Sequence, residues 1–162
     1  MRQTIDMRER VSEPCWQACA VLDVEADTIV RPAMDEMRVG IGGTEMTRKV
    51  QAEVGPRVRA DHGIRVPLRW HAEDHPQWFP ELKAELRLVP VGDTTTELRL
   101  VGTYEPPLGV LGALGDRVAG HRLAETALRD FLAGVAQRLT DALSKHTQAM
   151  RGYPVEFPPA RS

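Results

Sequence analysis

Cysteine is almost missing from this chain: Cys15 and Cys19 are the only two in 162 residues. They stand four apart in an expected helix, with no second pair and no neighbouring histidine to complete a zinc site. That excludes a disulfide framework and a tetrahedral metal motif, so both read as buried or idle thiols. No apolar run approaches the ~20 residues needed to span a bilayer. The polar start MRQTIDMRER lacks the apolar core of a signal peptide. A cytoplasmic protein without integral membrane association is the expectation. Charge of either sign is also without surplus, since 21 Lys and Arg face 23 Asp and Glu for a net charge of -2. A nucleic-acid surface needs a clustered basic excess. Here Arg65, Arg69, Arg87 and Arg99 are interspersed with Glu73, Glu85 and Glu97, which reads as a solvated mixed-charge face and excludes a nucleic-acid partner. There is no GxSxG elbow, and Gly40, Gly42 and Gly43 lack the strand-to-helix setting of a phosphate loop.

What is present is an ordered change of rhythm. Apolar or small residues recur at every second position in Ile64, Val66, Leu68, Trp70 and Ala72. The same alternation holds in Leu82, Ala84, Leu86 and Leu88, and again in Leu98, Leu100, Gly102 and Tyr104. Each run therefore has one dry and one wet face. After Pro106 and Pro107 the spacing becomes helical at Leu114, Val118, Leu128, Phe131, Leu132, Val135, Leu139, Ala142 and Leu143. A one-faced antiparallel sheet and a helix with one apolar stripe can cover each other, giving an α+β fold.

The earlier part of the chain is less regular. Thr4 to Val11 suits a first strand, although Glu9 interrupts its apolar face. Ser12 is placed to cap a helix with Pro14 in its first turn and Trp16, Cys19, Ala20 and Val21 on its apolar side. Asp23 to Glu36 is acidic, contains Pro32, and reads as a loop with at most a helical turn. Gly42 and Gly43 suit a two-residue hairpin turn between Met37–Ile41 and Thr44–Val54. Asp74 to Pro80, with His75 and Trp78, is longer than a tight hairpin needs. Residues 1–148 are expected to form one domain, followed by a proline-containing tail over 149–162.

The segments VPLRW at Val66 to Trp70, FPEL at Phe79 to Leu82, TELRLVGTYEPPLG at Thr96 to Gly109 and HRLAETALRDFL at His121 to Leu132 carry a resemblance. Together with the order of elements, they are similar to the START-like helix-grip superfamily, in an actinobacterial branch. The resemblance covers about half the chain and is to a pattern rather than to a catalytic signature. It implies a curved antiparallel sheet wrapped around a long C-terminal helix, with short helices after the first strand. It also implies a hydrophobic cavity between sheet and helix, which different members use for lipids, sterols, hormones or polyketide intermediates.

On a helical wheel centred at Leu128, Phe131, Leu132, Val135 and Leu139 cluster within about 60°. Arg117 and His121 fall within about 20° of the stripe centre and Glu125 at its edge, so the stripe turns polar toward the helix start. These three residues are candidates to anchor a ligand's polar head. Trp70, Leu86, Tyr104 and Leu128 are candidates to line its apolar body. His71 has the wet phase, and a metal site from His71, Asp74 and His75 follows no ligand motif; no metal and no cofactor are expected. The leading expectation is binding of a small hydrophobic or amphipathic ligand without catalysis. A polyketide cyclase or dehydratase with His121 as acid and base is the alternative from the enzyme class. A protein-interaction module using Leu108 to Leu114 is the third.

Overall fold

The computed structural model describes residues 2–35, 39–41, 44–46, 50–60, 62–72, 81–105 and 117–152; at 39–41, 44–46, 50–51, 72, 117–121 and 123 the description covers the backbone alone. In chain order the elements are β1 (Gln3–Val11), α1 (Cys15–Asp35), β2 (Val39–Ile41), β3 (Thr44–Met46), β4 (Val50–Val54), β5 (Val58–Ala60), β6 (Gly63–Ala72), β7 (Glu81–Gly92), β8 (Thr95–Glu105) and α2 (Arg117–Arg151). The main sheet is antiparallel with strand order β1-β8-β7-β6-β4, and β5 pairs with the same strand, β6, as β4 does. β2 and β3 form a separate hairpin in which Ile41 faces Thr44. Gly42 and Gly43 between them lie outside the described residues, as do the expected loop 73–80, the segment 106–116 and the tail from residue 153 onward.

The alternation of the sequence becomes the two faces of the sheet. Ile64, Val66, Leu68 and Trp70 are buried, as are Leu82, Leu86, Leu88, Leu98, Leu100 and Tyr104. α2 lays its stripe of Leu128, Phe131, Leu132, Val135, Leu139 and Leu143 into the same cluster. The opposite face of the sheet carries charge. Arg8, Arg99, Arg87 and Arg65 align across β1, β8, β7 and β6. Such a row of like charges destabilises a sheet unless acids interleave. Here Asp6 receives Arg99 at 2.7 Å and Glu85 receives Arg87 at 2.6 Å, so the mixed-charge face is an ion-pair lattice. Glu9, which interrupts the apolar alternation, accepts the Arg10 backbone N–H at 3.0 Å.

Two local expectations need correction. The helix after β1 does not start at Ser12: the Ala18 N–H bonds the Pro14 carbonyl at 3.1 Å, so Pro14 supplies the first helical acceptor. The stretch from Asp23 is also helical. α1 runs on to Asp35 as two arms meeting at Glu25, whose φ of -110° and ψ of 17° interrupt the helix. These are the short helices expected after the first strand. The second arm buries Ala26, Ile29, Val30, Ala33 and Met34, a 3.6-residue period hidden between exposed acids. Pro32 deprives the Thr28 carbonyl of its helical donor, and Thr28 is exposed, where water can serve instead. Among the described residues no helix is long and apolar enough to cross a membrane.

Candidate functional site

Cross-strand register gathers the polar and aromatic residues of the dry face at one end of the sheet. Gln3 pairs with Tyr104, Tyr104 with Leu82, Leu82 with Trp70, and Trp70 with Ala52, giving one transverse row over five strands. Because pairing preserves side-chain phase, all five project from the face of the sheet that the helices cover. Tyr104 and Trp70 are 1% and 2% exposed. The Trp70 ring meets Phe131 of α2 edge-on, with centroids 5.8 Å apart at 81°, the arrangement that places a positive ring edge on a negative face. The Tyr104 hydroxyl donates to Gln3 Oε1 at 2.7 Å. Burial pushes the Tyr104 phenol up to about 12, and the negative charge of Glu125 adds to the shift. Glu125 therefore approaches this end from the helix, as its place on the stripe's edge predicts.

The next row inward carries Ile5, Gly102, Ala84 and Leu68. Its two middle residues are small, and at Gly102 the absence of a side chain lets β7 and β8 approach closely. Leu86 lies two rows from Leu82, about 13 Å along the strand, and is a mid-sheet core residue, fully buried. Leu128 is buried one turn before Phe131. Register brings Trp70 and Tyr104 to one end and leaves Leu86 elsewhere, and the seat of α2 adds Glu125 and Phe131 to that end. Phe131 and Gln3 were not among the expected site residues. Gln3 shares the phase of Ile5 and Met7, and that signal was legible; the Trp70–Phe131 contact needs the helix's crossing position, which no local pattern holds. The backbone places Arg117 and His121 in the first turns of α2, and their side chains lie outside the described residues. So do Trp78, Asp74, His75 and the Leu108 to Leu114 segment. His71 is exposed, as its phase requires.

A concavity lies at the far end of the sheet, six residues along β6 from Trp70. It is an open cleft of about 550 Å³ whose lining includes Cys15, Trp16, Cys19, Arg59, Ile64 and Pro90. A smaller apolar groove of about 260 Å³ runs between α1 and the end of α2, lined by Val21, Val24, Leu143 and Met150 among others.

An antiparallel sheet gripping one long helix, with a buried aromatic end, defines a class of fold rather than a reaction. Solved structures share it. A conserved protein from Geobacillus kaustophilus superposes with a TM-score of 0.55 at 13% identity, covering 86% of this chain and 97% of that one. A point mutant of norcoclaurine synthase from Thalictrum flavum, in complex with a transition-state analogue, gives 0.52 at 11% identity, covering 91% and 97%. The protein Ara h 8.0201 gives 0.52 at 8% identity, covering 87% and 99%. No protein-family model and no curated protein matches the sequence. The chain has the helix-grip fold, an antiparallel sheet around a long C-terminal helix.

Proposed function

We propose that the protein binds a small hydrophobic or amphipathic molecule between the sheet and α2, at the end marked by Trp70, Tyr104 and Glu125. The observation that carries this reading is the Tyr104 phenol, buried at one margin of a mostly apolar face and donating to the half-buried Gln3. A purely structural core has little use for a phenol, an amide and a carboxylate at one end of a leucine-lined wall, whereas a ligand with a polar head and an apolar body needs both. Trp70 with Phe131 supplies aromatic surface. Removing apolar surface from water at about 25 cal/mol per Å² gives the driving force, and the phenol and carboxylate set the head's orientation. The head suited to them is a hydrogen-bond donor such as a hydroxyl or an amine.

The test is a fluorescence titration with 1-aminoanthracene, an apolar polycyclic probe bearing one amine, on the wild type, Trp70→Ala and Arg69→Ala. Trp70 faces the helix and Arg69 faces water. Saturable binding that Trp70→Ala weakens at least tenfold and Arg69→Ala leaves unchanged is the expected result. Equal losses in both variants, or no saturable binding by the wild type, would overturn the proposal.

A further inference from the structure

Cys15 and Cys19 stand in the first two turns of α1, at the cleft opposite the aromatic end. Both are free thiols. Their sulfurs are 3.5 Å apart, and the Cys15 thiol also lies 3.5 Å from the His62 carbonyl, to which it donates. Cys15 is buried and Cys19 half-buried. Burial pushes the Cys19 thiol up to about 12, and the neighbouring Cys15 adds to the shift. A thiol held protonated is a slow partner for disulfides and peroxides, which react with thiolates. Two adjacent neutral thiols are well suited to another reaction, condensation with a hydroxylated soft Lewis acid, in which both protons leave as water.

We infer that Cys15 and Cys19 form a two-sulfur site for a trivalent organoarsenical, with its organic group lodged in the cleft beside Trp16, Ile64 and Pro90. Donor count and angle select this class. Among the described residues no group of three or more His, Cys, Asp and Glu side chains gathers to hold a metal ion. That disfavours a four-donor zinc site and a three-thiol inorganic arsenite site. With sulfur bonds of ~2.3 Å, the length typical of zinc–thiolate bonds, sulfurs 3.5 Å apart subtend about 100° at the bound atom. That angle suits a pyramidal three-coordinate centre with a lone pair. It is far from the straight line preferred by two-coordinate copper(I) or mercury(II). The third bond goes to carbon, and the cleft of about 550 Å³ has room for that substituent, within the usual span of small-molecule sites. The Trp16 indole is 71% exposed and offers an open face for an aryl ring.

The step balances without an oxidant. R–As(OH)₂ and two thiols give R–As(S)₂ and two waters: two As–O and two S–H bonds break, and two As–S and two O–H bonds form. Arsenic stays trivalent throughout. The site is separate from the Trp70 end, so its test is independent of the function proposed above.

The experiment is intact-mass analysis of the full chain after addition of phenylarsine oxide, which hydrates to the dihydroxy form. One adduct per chain, retained in excess 2-mercaptoethanol and removed by a dithiol, is the expected result. Cys19→Ser, at the half-buried position, leaves one sulfur and weakens binding on the order of 10²-fold through loss of the chelate. Circular dichroism confirms that the variant is folded, and Cys15→Ser repeats the test from the other side. Stripping of the wild-type adduct by the monothiol, or undiminished retention by folded Cys19→Ser, would overturn the assignment.

Discussion

Tyr104 concentrates the chemistry of the aromatic end in one side chain. Its phenol is raised from an ordinary value of 10.0 to about 12 by burial and by Glu125. Its native state therefore holds the proton more tightly than the unfolded state does. The linked stability is fully present below pH 10 and is lost as the pH climbs from about 10 to about 12, where the unfolded phenol ionises first. Absorbance titration of phenolate is expected to show one late-titrating group near 12 that Tyr104→Phe removes, and alkaline unfolding of that variant is expected to depend less steeply on pH in this window, the raised Cys19 thiol keeping its share. At this scale the sequence was partly legible. Alternation alone put Trp70 and Tyr104 on the dry face, and a helical wheel put Glu125 at the stripe's edge. Their proximity was not legible, because it depends on register, which is a relation between strands and leaves no mark within either one.

Among the elements, β7 and β8 are held at close quarters by Gly102. A Cβ added there would lie 2.2 Å from the Lys83 carbonyl oxygen and 2.5 Å from the Ala84 Cα. Both neighbours are backbone, so no rotamer change relieves the clash. Gly102→Ala is expected to destabilise the fold by about 1–3 kcal/mol, read as a lowered urea midpoint, whereas Gly92→Ala, with nothing within 4 Å, avoids that clash and is expected to change it far less. Long elements announced themselves: β6, β7, β8 and α2 each repeat one period many times. α1 did not, because exposed acids and Pro32 break its apolar count, and its helicity is secured by packing against α2 and the sheet, a long-range cause that overrides local preference. Ser12 shows the same limit. It is a good capping residue two positions early, and the helix begins where Pro14 offers the first carbonyl.

For the whole molecule, the fold supplies a gripping architecture, and the proposed function puts the cargo at the Trp70 end. Native mass spectrometry of the purified protein, followed by denaturing extraction, is expected to reveal a co-purified apolar or amphipathic molecule whose occupancy falls in Trp70→Ala. An unaltered occupancy in that variant would put the cargo somewhere other than this end.

The divided partner of β6 has a consequence for the molecule's behaviour in a crowded solution. β4 pairs with Val54 opposite Leu68, and β5 resumes with Val58 opposite Arg65. Between them the Gly55 N–H bonds the Pro67 carbonyl at 2.8 Å, and Pro67, which has no N–H of its own, falls at the gap where none is required. The outer border of the sheet on that side is thus two short steps of five and three residues in place of one straight strand. On that border an incoming chain finds no long run of unpaired amides to zip onto, so the break disfavours edge-to-edge pairing there, on the side away from the nine-residue β1.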